Sequence, residues 1–274
     1  MRTIHASLQE AEDTIGKVDA RVILCDVLGV DRAFLVANPF HLLTETQDAR
    51  VDMMVTQRQM GHPVAYLVGR REFYGRDFAV DANVLIPRPD TETLVEAALA
   101  RLPNDECRVL DLGTGSGAIA VTLACERAQA KVVAVDASAG ALGVARANAE
   151  RHGAGRIEFL EGSWYSPVAG QRFDAIVANP PYVAAGDAHL GEGDLRFEPA
   201  SALTDGSADG LGSIRAIIDG ARDHLVDNGW LLIEHGYDQA SAVASLLEAA
   251  GFNERESVKD LAAIPRVAIG RFGR

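Results

Sequence analysis

The sequence predicts an α/β protein whose parallel sheet carries helices on both faces, preceded by a small all-helical domain and a β-hairpin linker. Two observations lead to this fold class. After residue 90, short apolar runs typical of buried strands alternate with segments of helical apolar spacing. The first of these strands runs into a glycine-rich turn, residues 113–117, that opens a helix.

Composition indicates a soluble protein, and the length suits two domains or one domain with a substantial extension. The chain has 274 residues, of which 48% are hydrophobic and 24% charged, so a sizeable core can form. No apolar stretch reaches membrane-spanning length, and the N-terminus lacks the pattern of a signal peptide. We expect a cytoplasmic monomer with no membrane partner.

Charge and the spacing of metal-ligand residues argue against two classes of function. The formal net charge of -13 disfavours a general grip on nucleic-acid backbones, so no direct nucleic-acid partner is expected. Neither the three cysteines nor the seven histidines have metal-ligand spacing. Residues 205–210 imitate the start of a calcium loop, but Ala216 stands where a bidentate Glu would close it. No metal site is expected.

The N-terminal domain, residues 1–65, is predicted to contain four helices and no catalytic group. Apolar residues recur at helical spacing between clear start and stop signals. These signals are stops at Gly16 and Gly29, N-caps at Asp19 and Asp31, and a capping box formed by Thr44 and Gln47. A docking module for a macromolecular substrate and a packing cap on the larger domain are equally compatible with the pattern.

A linker of fixed shape, residues 66–89, is predicted to precede the larger domain, residues 90–274. Aromatic and β-branched residues around Gly75 indicate a short hairpin. Prolines near the end of the linker restrain the residues before them and exclude a helix there. Asp90 or Thr91 is expected to cap the first helix of the larger domain.

Four features of the larger domain follow the carboxyl ends of predicted strands: the glycine turn, Asp136, Trp164 and Asn179. Because the carboxyl ends of parallel strands meet at one edge of a sheet, we expect a ligand site there. Asp136 could accept hydrogen bonds from ribose hydroxyls, cap the next helix, or do both. Trp164 could flank a purine ring or belong to the core.

Two successive prolines make the stretch from Asn179 to Tyr182 stiff, and neither proline has a backbone N–H. The Asn179 side-chain oxygen and the Pro180 carbonyl could converge on one planar NH2 group, with the Tyr182 ring against it. Such groups occur on glutamine and asparagine amides and on nucleobases. Taken alone, the tetrapeptide could equally be an ordinary strand-ending turn.

Taken together, these motifs resemble those of S-adenosylmethionine-dependent methyltransferases with a Rossmann-like sheet, and more narrowly the HemK-type release-factor glutamine methyltransferases. The resemblance covers nearly the whole chain. It departs from the family at Asp90, where Glu is usual, at His235, where Ile is usual, and at Ile264-Pro265, where Gly and Asp are usual. The motifs that carry it, besides the helical N-terminal region, are Ile86 to Glu92, Asp111 to Gly117, Gly162 to Trp164, Asn179 to Tyr182, Phe197 to Pro199 and Asp209 to Leu211.

The resemblance implies methyl transfer from S-adenosylmethionine, leaving S-adenosylhomocysteine, to the side-chain amide nitrogen of a glutamine. The acceptor would be the GGQ-motif glutamine of class I peptide chain release factors, which would tune translation termination. The implied cofactor-binding residues are Gly113, Thr114, Gly115, Ser116, Gly117, Asp136, Trp164 and Asn179. The implied substrate-binding residues are Asn179, Pro180, Pro181 and Tyr182, of which Asn179, Pro180 and Tyr182 would be catalytic.

Three other functions stay open from the sequence. The Asn-Pro-Pro-Tyr motif is shared with methyltransferases of nucleobase amino groups, although the acidic balance disfavours a nucleic-acid substrate. A glutamine of a ribosomal protein is a second possible acceptor. The third is a scaffold that binds the cofactor without catalysis, and the intact motif argues against it.

Overall fold

The computed structural model describes residues 1–273, and the chain divides into two compact units, Met1–Arg70 and a second unit that begins at Arg71. The division falls after Arg70 and not after residue 65, because residues 64–68 form a further helix of the first unit. No helix in the described part of the chain is long and apolar enough to cross a membrane.

Residues 1–70, all of them described, fold into five helices around one apolar core. The helices are α1 (Ile4–Ile15), α2 (Lys17–Leu28), α3 (Arg32–Ala37), α4 (Glu45–Gln59) and α5 (Val64–Val68). The predicted stops and caps at Gly16, Gly29, Asp31 and Thr44 are confirmed. The cap predicted at Asp19 is wrong. Helix α2 already begins at Lys17, and the Asp19 carboxylate pairs with Arg58 at 2.7 Å instead.

The predicted hairpin around Gly75 is formed by β1 (Arg70–Phe73) and β2 (Arg76–Ala79). Tyr74 and Gly75 between the strands have φ of 52° and 72°, as a tight two-residue hairpin turn requires. The chain then passes residues 85–88 without regular structure, as the prolines predict, and reaches α6 (Glu92–Leu99).

A seven-stranded sheet forms the centre of the second unit. Its strands are β3 (Cys107–Leu112), β4 (Ala130–Asp136), β5 (Glu158–Glu161), β6 (Phe173–Ala178), β7 (Leu225–Glu234), β8 (Asn253–Lys259) and β9 (Pro265–Arg271). The order is β5-β4-β3-β6-β7-β9-β8, in which β9 is antiparallel to both neighbours and the other pairs are parallel. The helices that follow α6 are α7 (Ala118–Glu126), α8 (Ala139–Arg151), α9 (Ala200–Leu203), α10 (Gly212–His224) and α11 (Ala240–Ala249).

Helices cover both faces of this sheet, which confirms the predicted fold class. Along β3, Val109 packs into the apolar cluster that includes α6 and α7. Its neighbours Leu110 and Leu112 pack on the opposite face with α10 and α11. The connections leave β3 towards β4 on one side and return to β6 on the other. Such a switch point opens a crevice at the carboxyl ends of the strands.

The apolar patterns of the sequence did not indicate strand β8 (Asn253–Lys259). Most residues of β8 are charged or polar and exposed, and the strand pairs only with β9 at the edge of the sheet. Because β8 has almost no buried face, it lacks the apolar pattern by which strands are recognised.

Candidate active site at the carboxyl edge of the sheet

A cavity of about 410 Å³ lies at the carboxyl ends of β3, β4, β5 and β6. Its volume is within the range of small-molecule sites in proteins. The predicted site residues that line it are Gly113, Gly115, Asp136, Trp164, Asn179 and Pro181. The predicted residues that do not line it are Thr114, Ser116, Gly117, Pro180 and Tyr182.

The three glycines of the turn after β3 have different tasks, although all have a positive φ that favours glycine. Gly113 and Gly115 face the cavity, and a Cβ on Gly113 would lie 3.7 Å from the ring of Trp164. A Cβ on Gly117 would instead lie 3.1 Å from the Cβ of Ala145. Gly117 therefore allows α7 to start close against α8.

Thr114 and Ser116 form hydrogen bonds with other residues of the protein and do not line the cavity. The Thr114 hydroxyl donates to Oδ2 of the fully buried Asp111 at 2.7 Å, and the Ser116 carbonyl accepts from the Asn148 side chain at 2.8 Å. Burial raises the pKa of Asp111 to about 7. Oδ1 of Asp111 has no hydrogen-bond partner within residues 1–273.

Asp136 ends β4 and lines the cavity. Its Oδ2 accepts from the backbone N–H of Gly115 at 2.8 Å, and its Oδ1 accepts from that of Ser138 at 2.9 Å. Each oxygen keeps lone-pair capacity for a hydroxyl donor in the cavity. Asp136 does not cap α8, because Ser138 occupies the cap and accepts from the Ala141 N–H at 3.2 Å.

Trp164 follows β5 in a left-handed conformation, with φ of 47°. Its ring lines the cavity beside Gly113 and also packs against the apolar cluster that contains Leu112 and Val135. The residue is therefore a wall of the cavity and a part of the core at once.

Asn179 follows β6, and its amide nitrogen Nδ2 donates to Oγ1 of Thr91 at 3.1 Å. Thr91 stands at the N-cap position of α6 but makes no capping hydrogen bond, so the cap predicted there is wrong. Because Nδ2 is held by Thr91, the oxygen Oδ1 is the end of the amide that Asn179 can offer to a ligand.

Tyr182 anchors the other end of the Asn-Pro-Pro-Tyr stretch. Its hydroxyl donates to Oε1 of Glu234 at 3.4 Å, and its backbone carbonyl accepts from Nε2 of Gln239 at 3.0 Å. Burial raises the pKa of the Tyr182 hydroxyl. The same carbonyl lies against Gly210, where a Cβ would come within 2.1 Å of the oxygen.

Two segments outside the predicted site complete the cavity wall, residues 83–85 and 199–202. Glu198 ties them together, because its buried carboxylate accepts from the backbone N–H of Ile86 at 2.9 Å and from the Arg88 guanidinium. Both donors offset the cost of burying the charge. The sequence pointed to the motif around Glu198, but it did not indicate that the Glu198 carboxylate would bind Ile86 and Arg88.

Comparisons with known proteins assign the fold to a class. Residues 90–196 match the Methyltransferase small domain, and residues 1–69 match the PrmC N-terminal domain. A solved methyltransferase from Pyrococcus furiosus aligns with a TM-score of 0.56 and 17% identity, over 84% of this chain and 100% of that chain. A 16S rRNA methyltransferase from T. thermophilus, solved with AdoMet and guanosine, aligns with a TM-score of 0.53 and 22% identity. The alignment covers 74% of this chain and 49% of that chain. The second unit thus has the methyltransferase fold.

Curated relatives narrow the class to one family. The release factor glutamine methyltransferase of Xylella fastidiosa (strain Temecula1) is 50% identical over 97% of each chain. The release factor glutamine methyltransferase of Neisseria gonorrhoeae is 50% identical over 93% of each chain. That of Escherichia coli K12 is 43% identical over 99% of this chain and 97% of the relative. The chain belongs to the release factor glutamine methyltransferase family, which confirms the resemblance seen in its motifs.

Gly210→Ala is expected to destabilise the protein, because the new methyl group meets the Tyr182 carbonyl and φ at this position is +66°. The free energy of unfolding, measured with urea, should fall by more than the ~1–2 kcal/mol that the backbone conformation alone costs. Gly206→Ala is the matched control, since Gly206 has φ of +80° but nothing within 4 Å of an added Cβ. Equal losses in the two variants would contradict the packing described for Gly210.

The stability of Asp111→Asn, compared with that of the unmodified protein, is expected to improve as the pH rises. The folded state raises the pKa of Asp111 from 3.8 to about 7, so the stability that this carboxyl contributes is complete below about pH 4 and is lost as the pH rises through about 7. The neutral amide of the variant has no such dependence. The free energy of unfolding of the variant minus that of the unmodified protein, measured with urea, should therefore increase from about pH 5 to about pH 8. If the difference in free energy of unfolding between the two proteins does not change with pH, the raised pKa of Asp111 is contradicted.

Proposed function

We propose that this protein transfers a methyl group from S-adenosylmethionine to the side-chain amide nitrogen of a glutamine in class I peptide chain release factors. The observation that carries the proposal is the orientation of Asn179, whose Oδ1 is left free beside a cavity of cofactor size. The names of the curated relatives support the release factor as substrate. We also propose that the helical unit, residues 1–70, docks this substrate.

The cavity residues fit S-adenosylmethionine in three respects. Gly113 and Gly115 present no side chain, so the backbone can come close to a ligand. Asp136 retains acceptor capacity for ribose hydroxyls. The Trp164 ring is a flat apolar wall that suits an adenine. When bound, the cofactor supplies a methyl group already activated by the sulfonium.

The task of the Asn-Pro-Pro-Tyr stretch is to position a poor nucleophile, because the lone pair of an amide nitrogen is delocalised into its carbonyl. The Asn179 Oδ1 and the Pro180 carbonyl would each accept one N–H of the glutamine amide and aim its nitrogen. The same two acceptors stabilise positive charge as it develops on the nitrogen, so they act more strongly in the transition state than before it.

This mechanism needs no general base in the loop. A methylated, protonated amide is very acidic and gives up its proton readily. The residues of the Asn179 to Tyr182 stretch include no carboxylate and no histidine, and the Tyr182 hydroxyl is directed towards Glu234 and is not part of the cavity lining. Binding and orientation are therefore the contributions asked of these side chains.

Incubation with a class I release factor and labelled S-adenosylmethionine, followed by mass spectrometry of the substrate, tests the proposal. Label is expected on one glutamine, and a release factor with that glutamine replaced is the control. Label on a nucleic acid or on a ribosomal protein instead would overturn it, and so would the absence of any transfer.

Asn179→Ala is expected to lower turnover by on the order of 100-fold or more, because it removes a preorganised acceptor of the reacting amide. The affinity for S-adenosylmethionine, measured by calorimetry, should fall much less. Full activity in the folded variant would contradict the role of Asn179.

Asp136→Ala is expected to weaken S-adenosylmethionine binding by ~1.5–3 kcal/mol, the contribution of a hydrogen bond to a charged group. Asp136→Asn, which retains one acceptor oxygen, should lose less. Calorimetric affinities equal to that of the unmodified protein in both variants would show that Asp136 only holds the turn together.

A further inference from the structure

The exposed large apolar side chains of residues 71–273 are concentrated in one place. They are Tyr237, Leu261 and Ile264, which are 70%, 106% and 37% exposed. Tyr237 follows β7, and the other two lie in the turn between β8 and β9. We call these three residues the apolar rim. Single exposed apolar residues are common on soluble proteins, but their restriction to one region indicates an interaction surface.

The apolar rim lies at the carboxyl edge of the sheet, the edge that carries the cavity. Strand β7 ends at Glu234, which pairs with Val267 of the antiparallel β9. Beyond this pair, the N–H of His235 donates to the Arg266 carbonyl at 3.0 Å. The two segments that carry the rim therefore leave the sheet next to each other. Because β7 pairs with β6, they lie on the side of the sheet edge where Asn179 follows β6.

Gln239 connects the first rim segment to the Asn-Pro-Pro-Tyr stretch. Its side chain is buried, and its Nε2 donates to the Tyr182 carbonyl at 3.0 Å. Its Oε1 accepts from the N–H of Gly236 at 2.8 Å. Residues 236–239, which include Tyr237, are thus held against the end of the stretch that begins at Asn179.

Arg266 connects the second rim segment to Asn179. Its guanidinium pairs with Asp90 at 3.1 Å, two residues after Ile264 in the chain. Thr91, next to Asp90, accepts from Nδ2 of Asn179 at 3.1 Å. The turn between β8 and β9 is therefore joined by short contacts to the start of α6, and through it to the residue proposed to hold the substrate amide.

The turn that carries Leu261 and Ile264 has a fixed shape. Oδ1 of the buried Asp260 accepts from the N–H of Ala262 at 2.9 Å and from that of Ile264 at 3.0 Å. The Asp260 N–H donates to the Ile264 carbonyl at 2.9 Å, and Ala263 has φ of 62°. All four residues from 261 to 264 are apolar and exposed. A preorganised apolar surface binds a partner at a lower cost in conformational entropy.

The position and the charge of the apolar rim indicate what it binds. A chain spans at most ~3.3–3.6 Å per residue, so residues close in sequence to a glutamine held at Asn179 stay near this edge of the sheet. The carboxylate of Asp238, next to Tyr237, is exposed, and the whole chain has a formal net charge of -13. A basic side chain beside an apolar one complements such a surface.

We propose that the apolar rim docks the segment of the protein substrate next to its target glutamine, through an apolar side chain that has a lysine or arginine beside it. This inference rests on the proposed function, because the rim is defined relative to the glutamine held at Asn179. It goes beyond that function by assigning a recognition surface outside the cavity and the chemistry of the segment that binds there.

Leu261→Ser and Tyr237→Ser are each expected to raise the KM for a release factor by on the order of 10-fold, as for the loss of one apolar contact. The kcat at saturating release factor and the calorimetric affinity for S-adenosylmethionine should stay unchanged, because only substrate binding is weakened. Leu261→Met and Tyr237→Phe keep the apolar area and should keep the KM. Gln129→Ser is the matched control, since Gln129 is also exposed but precedes β4 at the opposite edge of the sheet.

Asp238→Lys tests the charge of the surface. The KM for the release factor should rise, and it should rise more at low than at high ionic strength, because salt screens exposed charges. Asp238→Asn, which removes the charge without reversing it, should have a smaller effect. Equal KM values in Asp238→Lys and the unmodified protein at low ionic strength would refute the basic side chain in the proposal.

The occupant is identified with Leu261→p-benzoylphenylalanine, which forms a covalent bond to a neighbouring chain on irradiation. The variant is irradiated with a release factor and S-adenosylhomocysteine, and the bonded residue is located by mass spectrometry. A bond within about five residues of the target glutamine is expected. Bonds confined to a distant part of the release factor, bonds only to a second copy of this chain, or no bond at all would overturn the inference.

Leu261→Ser and Tyr237→Ser variants that match Gln129→Ser in KM would also overturn it. A variant that loses kcat and cofactor affinity together with KM would indicate a structural role for the residue and would contradict the docking role. An unmodified protein that methylates no release factor refutes the proposed function instead, so the two failures are distinguishable.

Discussion

The hydrogen bond from Asn179 Nδ2 to Thr91 is the contact on which the proposed mechanism depends, because it leaves Oδ1 as the end of the amide that can face a ligand. The contact joins the residue that follows β6 to the residue that precedes α6. The two prolines that follow Asn179 add no backbone donor, so this corner presents acceptors alone. A group with two N–H bonds complements such a surface.

Two carboxylates hold the cavity walls: Asp136 accepts from two backbone N–H groups, and Glu198 accepts from one backbone N–H and the Arg88 guanidinium. Asp136 joins the glycine turn after β3 to the end of β4, and Glu198 joins the segment before α6 to the segment before α9. The departures from the family pattern also meet in space. Asp90 pairs with Arg266, which follows Pro265 in the chain, and the Arg266 carbonyl accepts from the N–H of His235, next to Glu234. These departures therefore lie close to the buried carboxylate of Glu234.

The sequence was sufficient for the fold and for the location of the cavity, because those signals are local: glycines in a turn, prolines in a loop and apolar runs in strands. It failed where the cause is a contact between distant residues. Thr91 has the position of a cap, and its hydrogen bond to Asn179 depends on the tertiary fold. The hydrogen bond of the Thr114 hydroxyl to Asp111 was likewise not predicted from the sequence. Strand β8 has too little buried surface to be recognised.

A crystal structure of the protein with S-adenosylhomocysteine and a release factor would test the central claim most directly. The account predicts that Asn179 Oδ1 and the Pro180 carbonyl oxygen both lie about 3 Å from the amide nitrogen of the target glutamine, with Asn179 Nδ2 still on Thr91. An Asn179 amide turned away from that nitrogen, or one that presents Nδ2 to the glutamine, would contradict it.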